Sequence, residues 1–197
     1  MTQYHLLITG FDPFGGESVN PAWEAVKLLP EEIGRFRLHK LEIPTVFALA
    51  PQTVLDAARE IRPHVILCIG QAGGRAAITP ERIGINVRDA RIRDNQGNQP
   101  KGEFIDPHGP AAYFATVNVT AMADAIEKAG IPSAVSNSAG AFVCNDTLYS
   151  LLHHYAGTET GVGFVHVPYL PSQAKDGVAS MELQTIVKGL TAAIEAL

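Results

Sequence analysis

The fold of this chain is decided by residues 64–70, "HVILCIG", and by the segment that leads into them. After His64 the run is apolar up to its closing glycine, which is typical of a parallel strand buried on both faces. The preceding segment, "APQTVLDAAREIR" (50–62), has helical periodicity. Its apolar face consists of Val54, Ala57, Ala58 and Ile61. Together the two segments predict a helix that enters a central parallel strand.

The same alternation of short apolar runs and helical patterns continues along the chain. Further strands are predicted at 4–10, 38–45, 133–138 and 161–170, and further helices at 21–29, 120–130, 146–155 and over the last twenty residues. This order predicts an α/β protein, a three-layer α/β/α sandwich with an open, mostly parallel, twisted sheet. The chain has 197 residues and no repeat or linker, so we expect a single domain over 1–197.

The stretch 71–118 departs from this alternation. It is polar, rich in Gly, Asp, Asn, Arg and Pro, and too long for a simple connection. Long loops in compact domains are usually functional or disordered. Because "RIGINVRDARI" (82–92) alternates as a strand does, we expect a long polar excursion or β-hairpin that contributes to a site.

Composition narrows the classes of partner. The net charge of −5 disfavours nucleic acid or an anionic membrane as the main partner. Apolar runs are far shorter than the roughly 20 residues that span a bilayer, and the first residues do not resemble a signal peptide. Two cysteines do not form a disulfide framework. We therefore expect a cytoplasmic protein with free thiols.

Several loops are predicted to meet at the carboxyl edge of the sheet, where α/β proteins place their sites. They are "GFDPFGG" (10–16), "GQAGGR" (70–75), "SNSAGAFVC" (136–144) and the end of "GFVHVPYL" (161–170). The third of these loops carries one of the two cysteines directly into a predicted helix.

Cys144 is the candidate nucleophile. At a helix start, unpaired N–H groups and the positive end of the helix dipole lower a thiol pKa and can hold an oxyanion. The alternative is a buried structural cysteine, which is how we interpret Cys68 within its apolar strand. A nucleophile elbow is excluded, because Phe142 and Asp146 stand where that turn requires small residues.

A nucleophilic thiol needs a base and an orienting acid. His166, near the carboxyl end of its strand, is the histidine best placed to meet Cys144, although a core histidine is the alternative; His108 on the excursion stays open. Glu81 is a candidate acid, with a first-turn helix acid as its alternative. Asp89 and Asp94 compete but stand among arginines, which suggests solvated ion pairs.

Five blocks in register closely resemble the pyroglutamyl peptidase I family, also called pyrrolidone carboxyl peptidases. They are "LITGFDPFGGESVNPAWEAVK", "GQAGGR…ITPERIGIN", "DARIRDNQGNQP", "SNSAGAFVCND" and "GFVHVPYLP". The resemblance implies a cytosolic cysteine peptidase with an open α/β/α sandwich, often a homotetramer. It implies removal of an N-terminal pyroglutamyl residue from peptides, without metal or cofactor.

The resemblance assigns roles residue by residue. The nucleophile of the family's Cys-Asn block is Cys144, the histidine of its His-Val-Pro block is His166, and the acid of its Pro-Glu-Arg block is Glu81. The oxyanion is expected at the Cys144 N–H, with Arg91 as a candidate contributor. The chain departs from the family at Asp146, whose carboxylate would oppose thiol ionisation, and we expect it to point away as a helix cap.

A pyroglutamyl residue has no α-ammonium group, so its pocket needs flat apolar walls and partners for a lactam. Phe11, Phe14 and Phe142 are the predicted walls, with a core role as the alternative for the first two. The resemblance places the lactam near the backbone of Gln71, with Asn20 nearby. Val143, beside the nucleophile, completes the predicted substrate-binding set.

Three other functions remain to be weighed at this stage. The first is a thiol amidase of other specificity on the same scaffold, and the second is a small-molecule binding module with an inert Cys144. The third is a metal hydrolase, which the sequence disfavours because it has no His-x-x-x-His or Cys-x-x-Cys pair.

Overall fold

The computed structural model describes residues 3–175 and 177–197. Its strands are β1 (Tyr4–Phe11), β2 (Glu32–Ile33), β3 (Phe36–Ile43), β4 (Val65–Gln71), β5 (Thr79–Pro80), β6 (Ile83–Ile85), β7 (Ala112–Phe114) and β8 (Gly161–Val167). Its helices are α1 (Pro21–Leu28), α2 (Leu49–Ile61), α3 (Val119–Lys128), α4 (Val143–His154) and α5 (Leu183–Glu195).

The central sheet has the strand order β2-β3-β1-β4-β8-β5. The four long strands are parallel to one another, and only the short β2 and β5 run antiparallel to their neighbours. The predicted apolar strand is therefore central, since β4 lies between β1 and β8. Its register with β8 sets Gly70 opposite His166 at the carboxyl edge.

Helices cover both faces of the sheet, as predicted. One apolar cluster joins the sheet to α1, α3 and α5, and a second joins its other face to α2 and α4. Helices α1, α2, α3 and α5 each contribute a stripe of buried residues, whereas α4 is buried on most of its surface. The three-layer α/β/α architecture is therefore confirmed, and α4 carries Cys144 on the same side as α2.

The strand predicted at 133–138 is wrong. Ser133 and Ser136 form only isolated bridges, to Ile78 and Glu81. The segment runs beside β5, but Pro80 has no N–H and cannot complete the ladder between those bridges. Helix boundaries also differ, because α4 begins at Val143 rather than 146 and α5 begins only at Leu183.

The polar excursion is folded around buried side chains. Strands β6 and β7 form the expected antiparallel pair, which is shorter than the sequence alternation suggested. Asp94 was expected in a solvated ion pair, but it is buried and accepts hydrogen bonds from the N–H groups of Phe47, Gln96 and Asn98. A carboxylate that receives several N–H groups can organise a turn without any cation.

Among the described helices, none has the length and apolar character needed to cross a membrane.

Candidate active site

Cys144 is the second residue of α4, so its thiol lies in the first helical turn, as predicted. The sulfur packs over Gly70, where an added Cβ would come within 3.1 Å of Sγ and 2.8 Å of the Phe164 ring. Gly70 is paired with His166, and residues paired across parallel strands project to the same face of the sheet. The glycine therefore makes room for the thiol beside the imidazole.

His166 is oriented by Glu81. Its Nδ1 lies 2.7 Å from Glu81 Oε1, and both side chains are buried. Glu81 follows β5 directly, and its N–H donates to Phe164 O at 2.8 Å, which fixes the acid against β8. Since an ionised carboxylate only accepts hydrogen bonds, Nδ1 carries the proton and Nε2 is left as an acceptor.

The Glu81 carboxylate is held ionised despite its burial. Burial acts to raise its pKa, but hydrogen bonding and charge from His166, with further help from Ser136 and Arg75, bring the pKa below the ordinary value. Arg75 Nη1 donates to the same Oε1 at 2.6 Å. Within the described residues, Oε2 is buried and has no partner at hydrogen-bonding distance and angle. Ser136 therefore lowers the pKa of Glu81 from a longer distance than a normal hydrogen bond.

The pKa of the Cys144 thiol is shifted upwards, whereas a position at a helix start is expected to lower it. Burial is the largest effect and, together with Glu81 and Cys68, raises the pKa of Cys144 to about 12, although Arg75 and the Cys144 N–H act to lower it. Burial also lowers the pKa of His166, against the opposing effect of Glu81. Although the Cys144 side chain is partly exposed rather than sealed off, these directions predict a neutral thiol and a neutral imidazole at rest.

The start of α4 offers donors for an oxyanion. Phe142 occupies the N-cap position but makes no side-chain hydrogen bond to the helix. The first N–H groups of a helix have no intrahelical acceptor, so those of Val143 and Cys144 can serve a developing negative charge.

A cavity of about 360 Å³ adjoins this helix start. Its walls come from the loop before Cys144, the end of β4 and the excursion. Apolar walls are supplied by Phe14, Ile92, Phe142 and Tyr169, and polar groups by Gln71, Asp89 and Arg91. Phe14 and Phe142 face each other with ring centroids 6.0 Å apart. The structure thus brings together Phe14, Gln71, Arg91 and Phe142 of the predicted substrate-binding set.

The other three members of that set lie elsewhere. Phe11 is buried in the core with its ring 6.1 Å from that of Phe164, which favours the core alternative. Asn20 is the N-cap of α1, where Oδ1 accepts from Ala22 N and Nδ2 donates to Asp12 O. The Val143 side chain is fully buried, so only its backbone N–H is available to a ligand.

The competing residues also have definite places. His108 is on the excursion, where its N–H donates to Asp106, and Asp89 lies in the cavity wall. Asp146 was expected to cap its own helix, but it is buried, pairs with Arg88 at 2.7 Å and accepts from Ala48 N at the start of α2. Residues two apart on a helix project to nearly opposite sides, so this carboxylate is directed away from Cys144.

Sequence reasoning missed Arg75, Gly70 and Tyr169. The signal for the first two was present in "GQAGGR", which was treated only as a loop at the sheet edge. Tyr169 packs against Gly73, where a Cβ would come within 2.1 Å of the ring. In the described part of the chain, no three His, Cys, Asp or Glu side chains gather as metal ligands would.

A family profile described as pyroglutamyl peptidase matches residues 4–197. The chain belongs to the pyroglutamyl peptidase family. A pyrrolidone-carboxylate peptidase of Staphylococcus saprophyticus is 54% identical over 98% of this chain and 92% of its own length. A second, from Levilactobacillus brevis, is 53% identical over 98% of this chain and 96% of its own length.

Solved structures of pyroglutamyl peptidases share the fold. The pyroglutamyl peptidase I of Bacillus amyloliquefaciens superposes with a TM-score of 0.94 at 45% identity, covering 98% of this chain and 96% of the other. A mutant pyrrolidone carboxyl peptidase of Pyrococcus furiosus gives a TM-score of 0.92 at 38% identity, covering 98% and 97%. The family resemblance seen in the sequence motifs is therefore confirmed over the whole architecture.

Proposed function

We propose that this protein is a cysteine peptidase that hydrolyses the amide bond after an N-terminal pyroglutamyl residue. The observation that carries the proposal is the buried 2.7 Å contact between His166 and Glu81, on the sheet face where Cys144 packs over Gly70. Membership of the pyroglutamyl peptidase family, and the similarity to pyrrolidone-carboxylate peptidases, support the substrate class.

In the proposed mechanism, His166 Nε2 takes the proton of the Cys144 thiol as the sulfur attacks the pyroglutamyl carbonyl carbon. The Val143 and Cys144 N–H groups stabilise the oxyanion. His166 then donates the proton to the leaving amine, so that the C–N bond breaks and a thioester remains. Water, deprotonated by His166, hydrolyses the thioester and regenerates the thiol.

Glu81 orients the imidazole and stabilises it when it becomes protonated. If the thiol and imidazole rest neutral, as the directions of their pKa shifts predict, the proton moves as the sulfur attacks the bound substrate. The short-lived ion pair is then formed in a site where burial strengthens the attraction between thiolate and imidazolium.

The cavity fits a small planar ring. Phe14, Phe142 and Tyr169 provide flat apolar surface, and Gln71 provides amide and backbone hydrogen-bonding groups for the lactam. A prolyl ring has the same size but lacks the carbonyl, so a hydrogen-bonding partner in the site would stay unsatisfied, at about 1–3 kcal/mol. We infer that this difference sets the specificity.

A panel of fluorogenic amides tests the substrate class. We expect rapid hydrolysis of the pyroglutamyl amide and at least ~10-fold lower kcat/KM for the prolyl and alanyl amides. Rapid cleavage of a prolyl or alanyl amide, with no cleavage of the pyroglutamyl one, would instead identify a thiol amidase of other specificity. No hydrolysis of any amide by the folded protein would favour a binding module in which Cys144 is inert.

We also propose that the protein is a cytoplasmic homotetramer that acts on pyroglutamyl peptides. The family resemblance supports the assembly, and two exposed aromatic side chains on the excursion, Phe104 and Phe114, each 68% accessible in the single chain, suit burial against other copies. A reduced thiol suits the cytoplasm. Light scattering should give the mass of four chains, and the mass of one chain would contradict the assembly.

A further inference from the structure

Arg75 connects three parts of the candidate site. It lies in the loop after β4, and its guanidinium is about one-third exposed on one side of the fully buried Glu81 carboxylate. Nη1 donates to Glu81 Oε1 at 2.6 Å and also contacts the Thr79 hydroxyl, while Nη2 donates to Ser138 O at 3.1 Å. A planar guanidinium can hold several acceptors in one fixed arrangement.

The first consequence concerns Glu81. Arg75 and His166 donate to the same carboxylate oxygen, Oε1, so two donors fix the position of that oxygen. Within the described residues, Oε2 has no hydrogen-bond partner that could replace the guanidinium. Without Arg75, Oε1 would keep its contact with His166, but the position of the carboxylate that orients the imidazole would be less well defined.

The second consequence concerns the nucleophile. Ser138 belongs to the segment that runs from the isolated Glu81–Ser136 bridge to the start of α4. By donating to Ser138 O, the same guanidinium ties this segment to the acid. One side chain therefore adds a tie between the acid that orients His166 and the loop that carries Cys144, beyond the backbone bonds of the Glu81–Ser136 bridge.

We propose that Arg75 is a positioning residue for the hydrolysis, acting through Glu81 on His166 and through Ser138 on the loop of Cys144. The inference rests on the proposed roles of Cys144, His166 and Glu81. Arg75 touches none of the reacting atoms in this arrangement. Its role differs from that of Arg91, which lines the cavity.

The charge of Arg75 gives the proposal a pH signature. The charged groups that act on the pKa of His166 are Glu81 and Arg75, and the Cys144 thiol lies on the same face of the sheet over Gly70. Burial is the main cause of the lowered pKa of His166, Glu81 opposes it, and Arg75 adds to the lowering. Removing the guanidinium therefore raises the pKa of His166, so the imidazole becomes protonated, and unable to act as base, at a higher pH.

The test compares Arg75→Gln and Arg75→Lys with wild type. Arg59→Gln is the matched control, because Arg59 makes an exposed ion pair with Asp56 at 2.7 Å far from the site. For Arg75→Gln we expect kcat on a pyroglutamyl amide to fall roughly 10- to 100-fold with little change in KM, and the acid limb of kcat/KM to move to higher pH. Arg75→Lys should keep the wild-type limb and recover part of kcat, while Arg59→Gln changes neither.

A second measurement separates this inference from the proposed function. NMR titration of the His166 ring in wild type and Arg75→Gln reads the imidazole pKa without turnover, and thermal unfolding reports whether the variant is folded. If wild type hydrolyses the amide but the acid limb and the His166 titration of folded Arg75→Gln match wild type, the Arg75 role is overturned and the peptidase assignment stands. If wild type hydrolyses no amide, the proposed function fails, and with it the Arg75 role.

Discussion

At the scale of the residue, the site is governed by desolvation. Cys144 stands at a helix start, where partial positive charge favours a thiolate, yet burial raises the pKa of the thiol to about 12. His166 is shifted in the opposite direction, towards the neutral base. We therefore predict that the proposed nucleophile and base rest uncharged, so that the reaction depends on proton transfer between them rather than on a preformed thiolate.

The lowered pKa of His166 predicts the pH dependence of the reaction. Because the pKa of His166 lies below the ordinary value of about 6.5, the imidazole stays neutral to lower pH than a solvent-exposed one. The acid limb of kcat/KM should therefore fall below that pH. An acid limb above it would show that the Glu81 interaction dominates over burial and would contradict the neutral pair.

The resting protonation state of the thiol is directly measurable. The ultraviolet absorbance of a thiolate should be absent at pH 7 from the difference spectrum of wild type and Cys144→Ser, because a pKa near 12 leaves the thiol protonated. Appearance of that absorbance at pH 7 would mean that Cys144 and His166 rest as an ion pair.

Gly70 offers a steric test of the thiol position. In Gly70→Ala the new Cβ would lie 2.8 Å from the Phe164 ring and 3.1 Å from Cys144 Sγ, so both must move. We expect a loss of about 1–3 kcal/mol in unfolding free energy and a large fall in kcat. Gly163→Ala is the control, because its Cβ would meet Val117 at 2.4 Å on the opposite face of the sheet. It should lose stability but keep the activity of its folded fraction.

At the scale of the element, strands and helices followed from apolar periodicity, and the failures have local causes. The central strand and its neighbours were predictable because parallel strands buried on both faces are continuously apolar. The segment 133–138 was not, because its pairing depends on the missing N–H of Pro80, a property of its neighbour. Helix α4 begins three residues before the predicted start, because Phe142 provides no side-chain cap to mark its beginning in the sequence.

The attachment of α4 to the polar excursion can be tested at Asn145. Its buried amide accepts from Ile85 N at 2.9 Å and donates to Ile85 O and Val87 O at 2.8 and 2.9 Å, so it fastens α4 to the excursion. Asn145→Ala leaves buried backbone groups unpaired, and we expect urea unfolding to show a loss of about 2–4 kcal/mol. Asn118→Ala, which removes only the N-cap of α3, should cost about 1 kcal/mol. Equal losses of unfolding free energy in the two variants would show that Asn145 does not hold α4 against the excursion.

At the scale of the whole molecule, the sheet order brings distant parts of the chain to one edge. Residues 70, 81, 144 and 166 meet there because β4 and β8 are neighbours and β5 adds to β8. The sequence indicated this meeting, since the carboxyl ends of parallel strands share an edge. It could not indicate that Arg75 would donate to the oxygen that His166 also contacts, because that geometry depends on the path of two loops.

Steady-state hydrolysis of a pyroglutamyl amide by wild type, Cys144→Ser and Cys68→Ser tests the central claim most directly. Cys68 is buried in the apolar cluster against which the partly buried Cys144 packs, so the control makes the same substitution at a neighbouring site. We predict that Cys144→Ser loses at least ~10³-fold in kcat/KM, because a hydroxyl is far harder to ionise at this base, while Cys68→Ser stays within about tenfold of wild type. Activity of Cys144→Ser close to that of wild type, or an equal loss in both variants, would contradict Cys144 as the nucleophile.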